Sequence, residues 1–188
     1  MEFSYNALGL SHKYVAEHLS GGEICIDATA GRGRDTLFLA KLVGESGKVH
    51  AFDVQKDAVE STKKLLEENE IKNTEVHLLC HSKMASFAEE ATVSAIMFNF
   101  GWLPGGDHTK FSHSDTSCLA IAEGLRLLKM GGIMTLCLYY GKETGFEEKD
   151  TVLGFVRGLD QKKYSVLLHD FINRKNDPPI LVVITKDA

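Results

Sequence analysis

The sequence predicts an α/β fold in which a doubly wound, mostly parallel seven-stranded sheet carries helices on both faces and ends in an antiparallel hairpin. Three observations predict it. Apolar runs alternate with helix-period segments along most of the chain. The last two runs, 164–171 and 179–185, are joined by a loop too short for a parallel crossover. A small-residue turn, DATAGRGRDT (27–36), follows the first run, where an open sheet binds ligands.

Taken in order, the chain starts with a helical segment over 1–22. Ser11 is its expected N-cap, His12 lies in its first turn, and Tyr14, Val15 and Leu19 form its apolar face. Seven strands follow: EICIDAT (23–29), KVHAFD (48–53), EVHLLC (75–80), VSAIMFNF (93–100), GIMTLCLYY (132–140), YSVLLHDF (164–171) and PILVVIT (179–185). Crossover helices are read at 35–43, 56–69 and 117–129, where apolar residues recur at three and four, as in Ala58, Val59, Thr62, Leu65 and Leu66. A parallel sheet finished by a hairpin is the Rossmann-like class I methyltransferase arrangement. No repeat or linker divides the 188 residues, so 1–188 reads as one such domain with 1–22 packed on it.

The four cysteines stand singly in apolar surroundings without metal-ligand spacing, which predicts buried thiols, no disulfide and no metal. The N-terminus has no basic region followed by an apolar run, and no stretch of about 18 uncharged apolar residues occurs, so a cytoplasmic protein is expected. The net charge is −5. Residues 1–100 hold 10 basic against 15 acidic side chains and the remainder 11 against 11, so neither half is a basic nucleic-acid module. A local basic patch could still bind RNA.

The turn 27–36 reads acidic-x-x-x-Gly-x-Gly, with Thr36 where a third glycine of GxGxxG would stand. Small residues there let backbone amides approach a ligand closely. The bland alternative is a tight strand-to-helix turn. Asp53 ends the second strand 22 residues after Gly31, close to the roughly 20-residue interval at which a carboxylate meets ribose hydroxyls. The same feature serves nicotinamide cofactors, and a solvated strand-end acid is the plainer reading. His81, at the end of the third strand, suits a contact to an adenine ring or the cap of the next helix.

The fourth strand delivers Asn99 to the same crevice, the place for a methyl acceptor. In many class I enzymes that methylate nitrogen, an Asn/Asp-Pro-Pro-aromatic turn here accepts hydrogen bonds from the reacting NH group; Asn99-Phe100-Gly101-Trp102-Leu103-Pro104 keeps its ingredients. Trp102, the only tryptophan, is either an inward loop anchor or a platform for a nucleobase, a stack of about 1–3 kcal/mol. Gly105 to His108 give a flexible continuation, with His108 and Lys110 near phosphate. Tyr139, Tyr140 and Lys142 end the fifth strand, and Arg174, Lys175 and Asn176 lie in the hairpin loop. The tyrosines read as packing or as catalysts, and the basic pair as a phosphate patch or a solvated loop.

With these blocks in view, the chain resembles the YtqB/MnmM-type family of small class I methyltransferases, long described as rRNA methylases. SHKYV, DATAGRGRDT, AFDVQ, MFNFGWLPGGDH, YYGKETGFEEK and DFINRKNDPP look like its blocks in order and span nearly the whole chain. The resemblance implies S-adenosyl-L-methionine as cofactor, S-adenosyl-L-homocysteine as product, and the exocyclic amine of 5-aminomethyl-2-thiouridine at the tRNA wobble position as acceptor. The anticodon stem-loop would then be the partner. Two departures stand out: the family has Leu and Tyr where this chain has Phe100 and Trp102, and many members have a His-Pro-Gly-Gly-type loop where this chain has residues 141–145.

The candidate cofactor residues are then Asp27, Ala28, Thr29, Gly31, Gly33, Asp35, Thr36, Asp53, Gln55, His81, Ser82 and Asn99. Candidate catalytic residues are Asn99, His12, Tyr139 and Tyr140. Candidate substrate residues are Phe100, Gly101, Trp102, Leu103, Pro104, Gly105, His108, Lys110, Lys142, Arg174, Lys175 and Asn176. Three rival functions stay open: an rRNA or small-molecule methyltransferase, a non-catalytic nucleotide- or RNA-binding module, and a dehydrogenase. The sequence also leaves the oligomeric state open, a homodimer included.

Overall fold

The computed structural model describes residues 5–101, 114–140 and 142–188, apart from the side chains of 114, 115 and 142–144. The elements in order are α1 (Ala7–His18), β1 (Ile24–Asp27), α2 (Arg34–Val43), β2 (Lys48–Asp53), α3 (Lys56–Glu68), β3 (Thr74–Leu78), a 3₁₀ turn (His81–Ser86), β4 (Val93–Phe100), α4 (Ser114–Leu127), β5 (Leu128–Leu138), α5 (Lys142–Arg157), β6 (Tyr164–His169) and β7 (Ile180–Lys186). The strands form one sheet in the order β3-β2-β1-β4-β5-β7-β6. β1 to β5 pair in parallel. β7 runs antiparallel between β5 and β6, so the expected terminal hairpin is present with its second strand inserted next to the parallel set.

Burial on both faces explains why the central strands are apolar runs without polar alternation. In β4, Ile96, Phe98 and Phe100 face a core shared with α4, α5 and the 3₁₀ turn. Ala95 and Met97 face the opposite core, built with Val15 of α1 and Leu39, Ala40 and Val43 of α2. The order of the sheet reverses at β1 and β4, and the crevice beyond their carboxyl ends is where an open α/β sheet takes a ligand.

The structure departs from the sequence reading in four places. α1 starts earlier: Asn6, not Ser11, caps it, with Asn6 Oδ1 accepting from Gly9 N at 2.7 Å. Ser11 instead belongs to a buried stripe with Ala7 and Val15, spaced one turn apart, and its hydroxyl donates to Thr135 Oγ1 of β5 at 2.8 Å. α5 was not anticipated; Val152 and Val156, four residues apart, are its buried stripe. β5 begins at Leu128, and its pairing with β4 slips between Val93 and Ala95, with Gly131 at φ +74° in the extra segment. Of the cysteines, Cys25 and Cys137 are buried, and burial pushes both thiols up to about 12; Cys80 and Cys118 are only half-buried. No helix among the described residues is long and apolar enough to cross a membrane.

Ser11 and Thr135 satisfy each other in a fully buried place. Ser11→Ala therefore orphans the Thr135 hydroxyl and is expected to cost about 1–3 kcal/mol in urea unfolding. Adding Thr135→Val removes the orphan, so the double variant should be no less stable than the single one; two simply additive losses would contradict the pairing.

Candidate cofactor and acceptor site

The turn after β1 is held from three sides. Ala28 N donates to Met97 O of β4 and Ala30 N to Phe52 O of β2, both at 2.9 Å. Gly31 N donates to Asp53 Oδ2 at 2.9 Å, and Gln55 N to the other oxygen of the same carboxylate at 2.9 Å. Asp27 is wholly buried and faces inward: its oxygens accept from Thr29 N (3.1 Å) and Thr36 Oγ1 (2.6 Å). Burial first, and the Asp35 charge second, hold its carboxyl above the usual carboxylate range. Asp27 shapes the turn.

Gly33 is required by space as well as by its φ of +78°. A Cβ there would lie 2.9 Å from Thr62 Cα, at the point where α3 crosses the start of α2. No side chain caps α2, whose N-cap is Gly33 itself. Its first-turn amides and positive end can therefore receive a ligand carboxylate.

A second group gathers at the end of β4. Asn99 N donates to Thr29 Oγ1 at 2.7 Å, and Asn99 Nδ2 donates to Asp35 Oδ2 at 2.6 Å. The other Asp35 oxygen meets His12 Nε2 at 2.7 Å. A carboxylate accepts only, so both neighbours are its donors, and this fixes two proton positions. The Asn99 carbonyl oxygen is turned away from Asp35, and the basic nitrogen of neutral His12 is Nδ1. Phe38 stacks beneath the imidazole with ring centres 4.0 Å apart and planes within 10°.

His81 supplies an orphan. Its Nδ1 lies 3.2 Å from Ala28 O and must donate, leaving Nε2 as an acceptor. That atom is buried and has no partner among the described residues. Burial lowers the His81 pKa, so the ring is neutral near pH 7. Phe98 and Phe100 meet it edge-on, with ring centres 5.8 and 6.0 Å away. A buried, unpaired acceptor among aromatic rings fits the exocyclic amine of an adenine, a pairing that would remove a penalty of about 1–3 kcal/mol. The uncapped α2, the orphaned His81 nitrogen and the close-packed Gly33 together fit an adenosyl amino acid. Ser82, beside His81, donates instead to Cys80 Sγ at 3.2 Å.

The remaining candidates divide. Phe100 is fully buried below His81, so it is core and does not reach a substrate. Gly101, at φ +130°, carries the chain away from β4 over Tyr139, whose Cβ would sit 2.6 Å from an added Cβ. Tyr139 is 39% exposed, and burial followed by the charges of Cys137 and Asp35 pushes its hydroxyl up to about 12, which leaves it a donor and no base near pH 7. Tyr140 packs edge-on against Phe146 of α5, with the Lys149 ammonium 4.3 Å over its ring. Arg174 donates to Tyr5 O at 2.6 Å and lies 3.9 Å over the Phe171 ring, tying the hairpin loop to the N-terminal segment; Lys175 and Asn176 are exposed. Trp102, Leu103, Pro104, Gly105, His108 and Lys110 lie outside the described residues, as does the Lys142 side chain. Sequence reading missed that Asp35 bridges His12 and Asn99. Its position eight residues after Asp27 carries no signal, because the bridge spans 23 residues in one direction and 64 in the other.

A family model described as "Putative rRNA methylase" matches residues 49–185. The chain is 35% identical over 191 residues to the chloroplastic tRNA (mnm(5)s(2)U34)-methyltransferase of Arabidopsis thaliana, covering 96% of this chain and 70% of that protein. Among solved structures, the putative rRNA-methylase of Clostridium thermocellum is 44% identical with a TM-score of 0.95, over 97% of this chain and 98% of that one. A putative methyltransferase from Streptococcus mutans, solved in complex with SAH, is 38% identical with a TM-score of 0.89, over 97% and 99%.

Proposed function

This chain belongs to the rRNA methylase family and is an S-adenosylmethionine-dependent methyltransferase, and from that premise we propose that it N-methylates the 5-aminomethyl group of 2-thiouridine at the wobble position of tRNA. The observation that supports the reading is the Asp35 bridge, which engages one Asn99 N–H and thereby sets the amide flip, turning its oxygen away from the carboxylate and toward an acceptor at the end of β4. An oxygen there receives a hydrogen bond from an amine N–H and points the nitrogen lone pair elsewhere. The Arabidopsis relative, similar over 96% of this chain, adds support for a tRNA wobble acceptor.

S-adenosylmethionine supplies an activated methyl group when bound. Asp53 and His81 would hold its ribose and adenine, and the α2 N-terminus its carboxylate. An alkylammonium acceptor has no lone pair until it loses a proton. Of the three side chains considered for that step, Tyr140 is packed on α5 and Tyr139 is a poor proton acceptor. His12 remains: Asp35 holds its Nε2–H, and Nδ1 can take the proton while the carboxylate faces the resulting charge.

The family description names rRNA, which favours a second reading with an rRNA base as acceptor. One experiment separates the two. Labelled S-adenosylmethionine is offered to tRNA lacking the terminal wobble methylation and, in parallel, to rRNA, followed by nucleoside mass spectrometry. Addition of one methyl to 5-aminomethyl-2-thiouridine is the expected result; label in rRNA alone would select the second reading.

Asn99→Ala and Asp35→Asn should each lower kcat by roughly 10²-fold or more, while S-adenosylhomocysteine affinity, measured calorimetrically, changes far less. Equal losses in both quantities would remove Asn99 from the acceptor side. His81→Phe keeps an aromatic ring and deletes the acceptor, so S-adenosylhomocysteine binding should weaken by about 10-fold or more. The pH dependence follows from the lowered His81 pKa: the ring accepts only when neutral, so its contribution persists at pH 7 and is lost on acidification below the usual histidine range. The same acid loss in His81→Phe would assign it to another group.

A further inference from the structure

Away from the crevice, on the outer pair of parallel strands, β2 and β3 bring together His50, Glu75 and His77. The register sets His50 opposite Glu75 and Phe52 opposite His77, so alternate residues of both strands share one face. His50 Nδ1 lies 3.2 Å from His77 Nε2, and Glu75 Oε2 lies 3.5 Å from the first nitrogen and 3.9 Å from the second. A circle through three atoms so separated has a radius of about 2.1 Å, the length of a zinc bond to imidazole nitrogen or carboxylate oxygen.

We propose that His50, Glu75 and His77 form a binding site for a borderline divalent transition metal of the zinc type, with an open fourth position toward solvent. The donor set, two imidazoles and one carboxylate, is one that zinc takes with a water as fourth ligand. His50 is buried, and burial, followed by the Lys48 charge, pushes its pKa down to about 4; burial also lowers that of His77. In the metal-free chain one of the two facing nitrogens donates to the other; with the protons on the outer nitrogens, Nε2 of His50 and Nδ1 of His77, both face the ion as lone pairs. Phe87 and Phe52 wall the site, with ring centres 4.1 and 4.8 Å from His77, and an apolar wall strengthens metal–ligand attraction.

Two ammonium groups act on the same place. Lys48 holds Glu75 Oε1 at 2.9 Å, leaving Oε2 facing the imidazoles, and Lys63 repels charge at His77. With one carboxylate against two lysines, a hard cation such as magnesium or calcium gains little here. A metal that bonds well to imidazole nitrogen does not depend on net negative charge, which sets the selectivity. The ion would clip the edge strand β3 to β2, the strand that ends in Asp53.

The test uses the full chain, stripped with chelator and exchanged into chelator-free buffer. Zinc binding is measured by competition with a chromophoric chelator, and magnesium serves as control. One zinc per chain is expected, with affinity falling about 100-fold in His77→Gln and at least about 10-fold in Glu75→Gln, and with S-adenosylhomocysteine binding unchanged in both. Zinc should also raise the melting temperature of the wild type and not of Glu75→Gln, a half-exposed change that leaves the fold intact. Equal zinc affinity in wild type and both variants, or no saturable site in the wild type at micromolar zinc, would overturn the proposal. Preference for magnesium over zinc would do the same.

Discussion

Asp27 sits at the end of β1 with no contact to water, and both of its oxygens are engaged by the turn that follows it, through Thr29 N and Thr36 Oγ1. Everything at the crevice is arranged around that buried carboxyl. Thr29, placed by Asp27, receives the backbone amide of Asn99; Thr36, one turn into α2, fixes the helix whose second residue is Asp35. The cost is electrostatic. A buried acid next to a second one resists ionisation: burial first, and the Asp35 charge second, raise the pKa of Asp27. A ligand that brings positive charge to this corner relieves a repulsion already built into the fold, which suits a sulfonium cofactor better than a neutral one.

Asp35 shares its two oxygens between chain segments that are distant in sequence, His12 on α1 and Asn99 on β4. The three side chains behave as one unit because each proton position depends on the next. With Asp35 accepting from both, the Asn99 oxygen faces away from the carboxylate as an acceptor, beside the second N–H of the amide, and neutral His12 can accept only at Nδ1. Those are the two capacities that the proposed acceptor, a protonated primary amine, would require, one to orient it and one to deprotonate it. On the proposed reading α1 belongs to the site, and the Ser11–Thr135 bond, one residue before His12, anchors the helix to β5.

The seven strands, the parallel set with its first crossover helices and the terminal hairpin were legible in the sequence because each rests on local pattern: apolar runs, helical period, a loop too short to cross. What was not legible depends on register or on competition between equals. Asn6 and Ser11 are both good N-caps, and burial of Ala7, Ser11 and Val15 on one stripe decided between them. Phe100 looked like part of an aromatic turn, yet strand alternation sends it with Ile96 and Phe98 into the core. α5 is interrupted by Gly145 and Gly154, weak helix formers that mask its period. The His50, Glu75 and His77 group has no ligand-like spacing along the chain and exists only because β2 and β3 pair in one register.

The same distinction bears on substrate choice. The residues proposed to hold the cofactor lie on strand ends and short turns pinned by backbone hydrogen bonds, so their geometry follows from the sheet. The surroundings proposed for the acceptor begin at Gly101, where the chain leaves β4 at a φ open to glycine and with Tyr139 in the place of any added Cβ. Strand pairing and the contact with Tyr139 thus fix the path of the chain as far as Gly101. The turn after β1 and the exit from β4 are therefore set by separate contacts, the first with β2 and β4 and the second with Tyr139, and Asn99, bonded to both Thr29 and Asp35, joins them.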